Sequence, residues 1–457
     1  MEQKELNSTS CLKERWKSQL GFIWATTGAA VGLGNIWKFP YMVGSNGGSA
    51  FFLIYILAVA IVGIPVLSSE LVIGRLGHNN PIMSFELLSR RFGASKNWSK
   101  VGWLGMCTLF LVLSFYSVVG GWSIYYFFLA ISDHLNATDA TASQHIWQRF
   151  LDSPYLLIAN HTTFILMTAG VVALGLRKGI ERTSNIIMPA LLVLLLILAI
   201  YGCMQPGFSK AVDFLLGFRH LSITHSVVIA ALGHAAFTLA VGAGCMSMYG
   251  AYLPDKQPLG LSITWIVALD LLVALLAGIA TFSIVMSYNI HVTDGPGLMF
   301  EALPIAFANM SFGIVLASAF FVLLILAAWS SAISLMEPLV AMLVYRYRQN
   351  RHYAALTVGL GSWVLGIIAI LSFNIWKKLI IFDKWVIFTA MTDLATNVML
   401  PLGALGFALF AGHIMPHRDF AQAMQLKNKL ALKIIIMTTK WITPLAILTI
   451  LFSQVVL

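Results

Sequence analysis

Long apolar stretches, nearly free of charge, recur along this chain, and they dictate what it can fold into. A helix needs about 20 predominantly apolar residues to cross a bilayer, and about eleven segments meet that measure. They lie near residues 19–44, 50–74, 101–131, 156–175, 184–204, 226–252, 259–288, 313–345, 354–372, 384–411 and 434–456. Lipid offers no partner to an open backbone amide, so such segments cross as helices. The expected fold class is therefore an all-α polytopic membrane protein. Composition excludes a soluble domain: 59% of the 457 residues are hydrophobic and 10% are charged. The net charge of +10 would suit nucleic acid, but its placement argues against that partner. Basic residues gather in connections on one side, as in Arg75 to Lys100, Arg177 to Arg182 and Arg346 to Arg351, together with Lys13, Arg15 and Lys17. The other side holds far fewer, such as Arg149, Lys210, Arg219, Lys377, Lys378 and Lys384. By the positive-inside rule the N-terminus is cytoplasmic.

Two of the apolar segments contain residues that a lipid-facing helix would avoid. Gly28-Ala29-Ala30-Val31-Gly32-Leu33-Gly34-Asn35-Ile36-Trp37-Lys38-Phe39-Pro40 carries three glycines, an asparagine, a lysine and a proline. Ala30-Val31-Gly32-Leu33-Gly34 is echoed by Ala240-Val241-Gly242-Ala243-Gly244. Broken backbone at bilayer depth is tolerated only where protein buries it or it lines a cavity. Paired breaks in two halves of a chain point to a transport site, although small residues at this spacing also serve helix packing.

Polar groups inside the segments need partners. Asp270 lies mid-segment and requires a cation, a proton or a hydrogen-bond donor. Ser330 and Ser331 are either packing contacts or hard oxygen ligands, and Asn35 and Thr238 offer similar oxygens beside the two breaks. Lys38 either snorkels outward or pairs with an acid. His234 reads as a satisfied packing residue. Glu70 and Glu337 lie near cytoplasmic helix ends, where pairing with loop arginines is expected. The stretch from Asp294 to Pro304 has turn residues followed by a helical pattern, as in a hairpin over the outer face. Cys11, Cys107, Cys203 and Cys245 show neither metal nor disulfide spacing. The sequons at Asn136 and Asn160 read as chance outside a eukaryotic cell, and no signal-peptide pattern precedes the first segment. No catalytic constellation is present, so the chain is not read as an enzyme.

The run Ala-Val-Gly-Leu-Gly-Asn-Ile-Trp-Lys-Phe-Pro-Tyr at 30–41, with Asn46-Gly47-Gly48, resembles the first-helix signature of the neurotransmitter:sodium symporter family, also called the SNF family. Gly63-Ile-Pro65, Glu70 with Gly74-Arg75, Phe115-Tyr116, Lys178-Gly179-Ile180-Glu181, Phe237-Thr238-Leu239, Gly295-Pro296-Gly297 and Ser330-Ser331 extend the likeness over nearly the whole chain. It is greatest to bacterial sodium-dependent amino-acid transporters with eleven spans. The resemblance implies the LeuT fold, with two five-helix inverted repeats whose first helices, spans one and six, are unwound. The implied organisation is a cytoplasmic segment over 1–18, a first repeat over 19–204, a second over 226–411 and an eleventh span over 434–457.

The implied activity is sodium-coupled import of amino acids by alternating access across the cell membrane, here a bacterial inner membrane. A proton-coupled LeuT-fold carrier, a carrier of another small solute and an ion channel are the alternatives. The resemblance implies two Na⁺ sites. The first uses Ala30, Asn35, Thr238, Asp270 and the substrate carboxylate. The second uses Gly28, Val31, Ala327, Ser330 and Ser331. The substrate carboxylate meets Leu33, Gly34 and Tyr116. The remaining binding residues are Ala29, Ala30, Gly32, Val112, Phe237, Thr238, Ala240, Ala243, Ser331, Ala332 and Leu335. Lys38, Phe237 and Asp393 form the outer gate, with Thr392 as the other choice of partner for Lys38.

Departures from the family pattern carry their own expectations. Gly32 stands where monoamine carriers have an acid, so the substrate brings its own carboxylate. Asp270 stands where relatives often carry Asn and supplies a charge that makes bound chloride unnecessary. Ala243 replaces a Phe of the leucine-preferring relative, which favours bulky hydrophobic or aromatic substrates. His234 replaces a more usual Gln. Tyr345-Arg346 stands where an acid often pairs with a basic residue such as Lys13 or Arg15, so that inner pair is not expected.

Overall fold

The computed structural model describes residues 14–135, 137, 139–217, 223–288, 297–380 and 386–456. Every regular element among them is helical. The first apolar segment is not one helix. α1 (Gln19–Ala30) stops, a wide π-helical turn over Gly34–Lys38 follows a break, and α2 (Phe39–Ser45) completes the crossing. Then come α3 (Ser49–Gly77), α4 (Pro81–Arg91), α5 (Lys96–Ile131), α6 (Ala140–Leu151), α7 (Pro154–Ala173), α8 (Leu176–Cys203) and α9 (Phe208–Leu216). The second half opens with another broken crossing, α10 (His225–Thr238) and α11 (Cys245–Ala251). It continues through α12 (Leu259–Ser287), α13 (Leu298–Ala308), α14 (Gly313–Tyr347), α15 (Arg351–Leu371), α16 (Ile387–Ile414), α17 (His417–Met424) and α18 (Lys429–Ser453).

Nine of these, among the described residues, are long and apolar enough to cross a membrane. With the two interrupted crossings they account for the eleven expected. The stretches read as polar excursions, 132–153 and 205–225, each hold a short helix, α6 and α9. The turn of the hairpin, Asp294 to Pro296, lies outside the described residues, while its helix is α13. Cys11, Lys13, Asn136, Thr138, Arg219 and Lys384 also lie outside them. Asn160 sits inside α7 and donates to the Leu156 carbonyl at 2.8 Å, in a helix of membrane-crossing length.

The broken crossings occupy the middle of the bundle. α1 packs against α8, α12 and α14, while α10 and α11 lie along α3. α14 and α5 run together on the other side. Within its most apolar window 78% of α5 is buried, against 28% of α18, so α5 belongs to the core and α18 to the lipid-facing rim.

Prolines shape the helices in a consistent way. Seven π-helical turns occur among the described residues, and six end two positions before a proline: Pro40, Pro65, Pro304, Pro401, Pro416 and Pro444. Proline lacks an amide hydrogen and its ring collides with the carbonyl four residues back. One extra residue in the preceding turn opens that contact, and at all but Pro416 the helix continues through the proline.

Charged groups join the helices at the Trp16 end of the bundle. Arg75, at the end of α3, donates to the backbone carbonyls of Pro254, Asp255, Gln257 and Ala423. Trp16 Nε1 donates to the Tyr249 carbonyl at 3.0 Å, and Arg15 donates to the Ala251 carbonyl. Glu181 accepts the Lys17 amide at 3.0 Å, and Glu14 accepts the Leu176 amide at 2.8 Å. Glu337 is fully buried in α14 and pairs with Arg351, as expected of a loop arginine; it also accepts the Tyr252 hydroxyl.

Removing one partner of a buried ion pair leaves a charge without compensation and costs about 3–5 kcal/mol. Arg351→Met should therefore lower the thermal midpoint of the detergent-solubilised protein markedly. Adding Glu337→Gln to that variant should restore part of the loss. A variant as stable as the parent would mean that the pair contributes nothing.

Candidate functional site

The two breaks face each other, and each is held open by side chains from other helices. In a continuous helix the Leu33 amide would bond the Ala29 carbonyl; here it donates to Tyr116 Oη of α5 at 3.1 Å. Ser331 Oγ of α14 donates to the Gly28 carbonyl at 3.2 Å and the Ala29 carbonyl at 3.4 Å. Gly32 is required at this point because a Cβ would run into both Ser331 Oγ and Tyr116 Oη. In the sixth crossing, Ala240, Gly242 and Gly244 all have positive φ, at 50°, 97° and 86°. Ala240 is the unusual member, since a side chain disfavours that region.

Glu70 corrects an expectation. It does not pair with a loop arginine near a helix end. It is fully buried, and its carboxylate accepts the amides of Gly242 and Ser247. Unwinding frees those amides, and an acid on α3 satisfies them. The signal was present in the sequence as an acid within an otherwise apolar run, but its partner could not be read locally.

Between the breaks lies a cavity lined by Ala29, Ala30, Gly32, Gly34, Val112, Tyr116, Phe237, Ala240, Ala243, Ser331, Leu335 and Leu400. Eleven of these were expected, and Leu400 of α16 was not. Three expected residues stand behind the wall. Leu33 meets Tyr116 through its amide, Thr238 faces Asp270, and Ala332 is fully buried without reaching the cavity. Leu335 lines the cavity together with Ala243, whereas Met246 is not among the lining residues.

Oxygen atoms gather beside the cavity. Asp270 is fully buried and accepts Asn35 Nδ2 at 2.8 Å, Tyr55 Oη at 3.3 Å and Thr238 Oγ1 at 3.3 Å. Among the described residues no basic side chain forms a salt bridge with it. Asn35 Oδ1 is buried beside it with no hydrogen-bond partner. A carboxylate with neutral donors and a nearby unpaired oxygen form a set that a small hard cation fits. Ser330 Oγ, which donates to the Ala327 carbonyl at 3.0 Å, and Ser331 stand near the Gly28 carbonyl as a second oxygen cluster.

The residues expected at the outer gate are arranged differently from a simple ion pair. Lys38 Nζ lies over the Phe237 ring, 4.2 Å from its centre. No carboxylate among the described residues lies within 4 Å of it. Asp393 instead accepts Asn397 Nδ2 at 3.4 Å, and the Thr392 hydroxyl donates to the Thr389 carbonyl at 2.9 Å. His234 packs among the rings of Phe39, Phe51 and Tyr55. It is not satisfied as expected, because both ring nitrogens are buried without partners. Among the described residues no group of three or more His, Cys, Asp or Glu could hold a metal ion.

Comparison with known proteins places this arrangement. The Sodium:neurotransmitter symporter family matches residues 13–153 and 145–457. An uncharacterized sodium-dependent transporter of Bacillus subtilis, YhdH, is 36% identical over 87% of each chain. An uncharacterized sodium-dependent transporter of Haemophilus influenzae is 32% identical over 97% of this chain and 98% of its own. The crystal structure of MhsT in complex with L-phenylalanine superposes with a TM-score of 0.88 and 37% identity, covering 97% of this chain and 100% of that one. The fold is the LeuT fold that the resemblance implies, with its first and sixth crossings broken. The protein is a multi-pass membrane transporter that depends on sodium, not an enzyme, and it belongs to the sodium:neurotransmitter symporter family.

Proposed function

We propose that the protein is a sodium-coupled symporter that imports bulky hydrophobic or aromatic amino acids. The observation that carries this reading is the cavity between the two breaks, lined mostly by apolar residues, with the buried oxygens of Asn35 and Asp270 next to the first break. On this reading the amides near Leu33 and Gly34 and the Tyr116 hydroxyl receive the substrate carboxylate. Asn35, Thr238, Asp270 and the Ala30 carbonyl hold one Na⁺, whose remaining ligand is that carboxylate. Ser330, Ser331 and the carbonyls of Gly28, Val31 and Ala327 hold a second. Coupling follows because the first ion and the substrate complete each other's ligand sets. The neighbour with bound L-phenylalanine supports the substrate class.

Residues 19–204 and 226–411 act as the two repeats that rock about this site, with the N-terminus cytoplasmic in a bacterial inner membrane. Phe237 and Lys38 then form the outer cover, and the Trp16 segment closes the inner end. Asp270 already supplies an anion beside the first ion, so a bound chloride would suffer like-charge repulsion at low dielectric.

Uptake into proteoliposomes with an imposed Na⁺ gradient tests the reading. Trp, Tyr, Phe and Leu should compete best, while tryptamine, which lacks the carboxylate, should compete poorly. Stronger competition by glycine, alanine or glutamate would overturn the substrate class. Replacing chloride with gluconate should leave uptake unchanged, and a many-fold loss would refute the charge argument. Ser330→Ala with Ser331→Ala should raise the Na⁺ concentration needed for half-maximal uptake. An unshifted Na⁺ dependence at normal expression would return both hydroxyls to a packing role.

A further inference from the structure

One cavity residue comes from a helix outside the two breaks and the helices that brace them. Leu400 is on α16, directly after the π-helical turn Leu394–Met399 and directly before Pro401. An extra residue in a helical turn rotates everything beyond it by about 100° about the axis. Beyond that turn Leu400 lines the cavity, as Ala243 does.

Backbone contact fixes its position. A Cβ on Gly242 would collide with the Leu400 carbonyl, and a Cβ on Gly403 would collide with the Gly242 carbonyl. α16 therefore lies against the break in the sixth crossing with no side chain between them. Leu400 is 8% exposed and Ala243 is 3% exposed, so both are enclosed by protein. A tightly packed wall of this kind transmits a change of one methylene to whatever fills the cavity.

We propose that Leu400 is a specificity-determining residue, forming with Val112, Ala243 and Leu335 an apolar end wall for the far end of the substrate's side chain. The inference rests on the amino-acid reading above and adds α16 to the binding site. The wall offers no hydrogen-bond partner, so it accepts branched aliphatic and aromatic groups and leaves a charged or amide terminus unpaired. It sets how long a side chain fits, not whether a carboxylate binds. On the symport reading the carboxylate is met instead by the Leu33 and Gly34 amides and the Tyr116 hydroxyl.

Competition for Na⁺-dependent uptake, read as the ratio of apparent affinities for Trp and Val, tests this. Leu400→Ala should raise the Trp:Val ratio by at least about tenfold, and Leu400→Phe should lower it by a similar factor, the scale on which apolar pockets resolve small changes in size. Leu402→Ala, at a 40% exposed position on the same helix, should leave the ratio unchanged. Binding per folded protein, measured in detergent, guards against poor folding of the alanine variant, and Leu400→Met keeps volume while changing shape. If both size variants transport with the parent's ratio, Leu400 does not set specificity, although the symport reading stands. If no amino acid competes in the parent protein, the symport reading fails and takes this inference with it.

Discussion

An amide or carbonyl within a membrane must find its partner inside the protein, and much of this architecture follows from two places where helices decline to supply one. At the first break the Leu33 amide goes to Tyr116 and the Gly28 and Ala29 carbonyls meet Ser331. At the second, Glu70 takes the amides of Gly242 and Ser247. These partners come from α5, α14 and α3, so the helices around the breaks are positioned by the need to satisfy them. The same partners leave other polar atoms open. An uninterrupted helix would have consumed the groups that now border the cavity.

The arrangement also explains why ion and solute are linked on the proposed reading. Asp270 has neutral donors but no basic partner within salt-bridge distance among the described residues, and Asn35 Oδ1 is unpaired beside it. An isolated buried carboxylate is costly, and a cation relieves that cost. With the carboxylate of an amino acid nearby, one ion faces two acids, and neither anion is comfortable without it. The apolar wall built from Val112, Ala243, Leu335 and Leu400 contributes nothing to that balance and is free to vary with the solute.

The local rules read well and the long-range ones did not. The crossings, the two breaks and the residues flanking them were legible because glycine, proline and buried polar residues violate the pattern of a lipid-facing helix at identifiable positions. Asp270 and the Ser330–Ser331 pair stood out for the same reason. Glu70 is visible as an anomaly but its partner is not, since the amides that donate to it are 172 and 177 residues away along the chain. Leu400 gave no signal, because a leucine in an apolar helix looks alike whether it faces lipid or a cavity. Its orientation depends on a π-helical turn, although the proline that accompanies such turns was in plain view. His234 shows the converse: a residue read as satisfied packing that the fold leaves with both nitrogens empty.

Arg75 joins α3 to the loop before α12 and to α17 through main-chain carbonyls alone. Carbonyl oxygens do not titrate in the physiological range, and every residue type carries one. The clasp therefore holds across swings in acidity, and its receiving side tolerates sequence drift in which a carboxylate partner would be lost. Any rocking of the bundle that leaves those bonds intact must carry the three segments as one lever arm, with its fulcrum elsewhere.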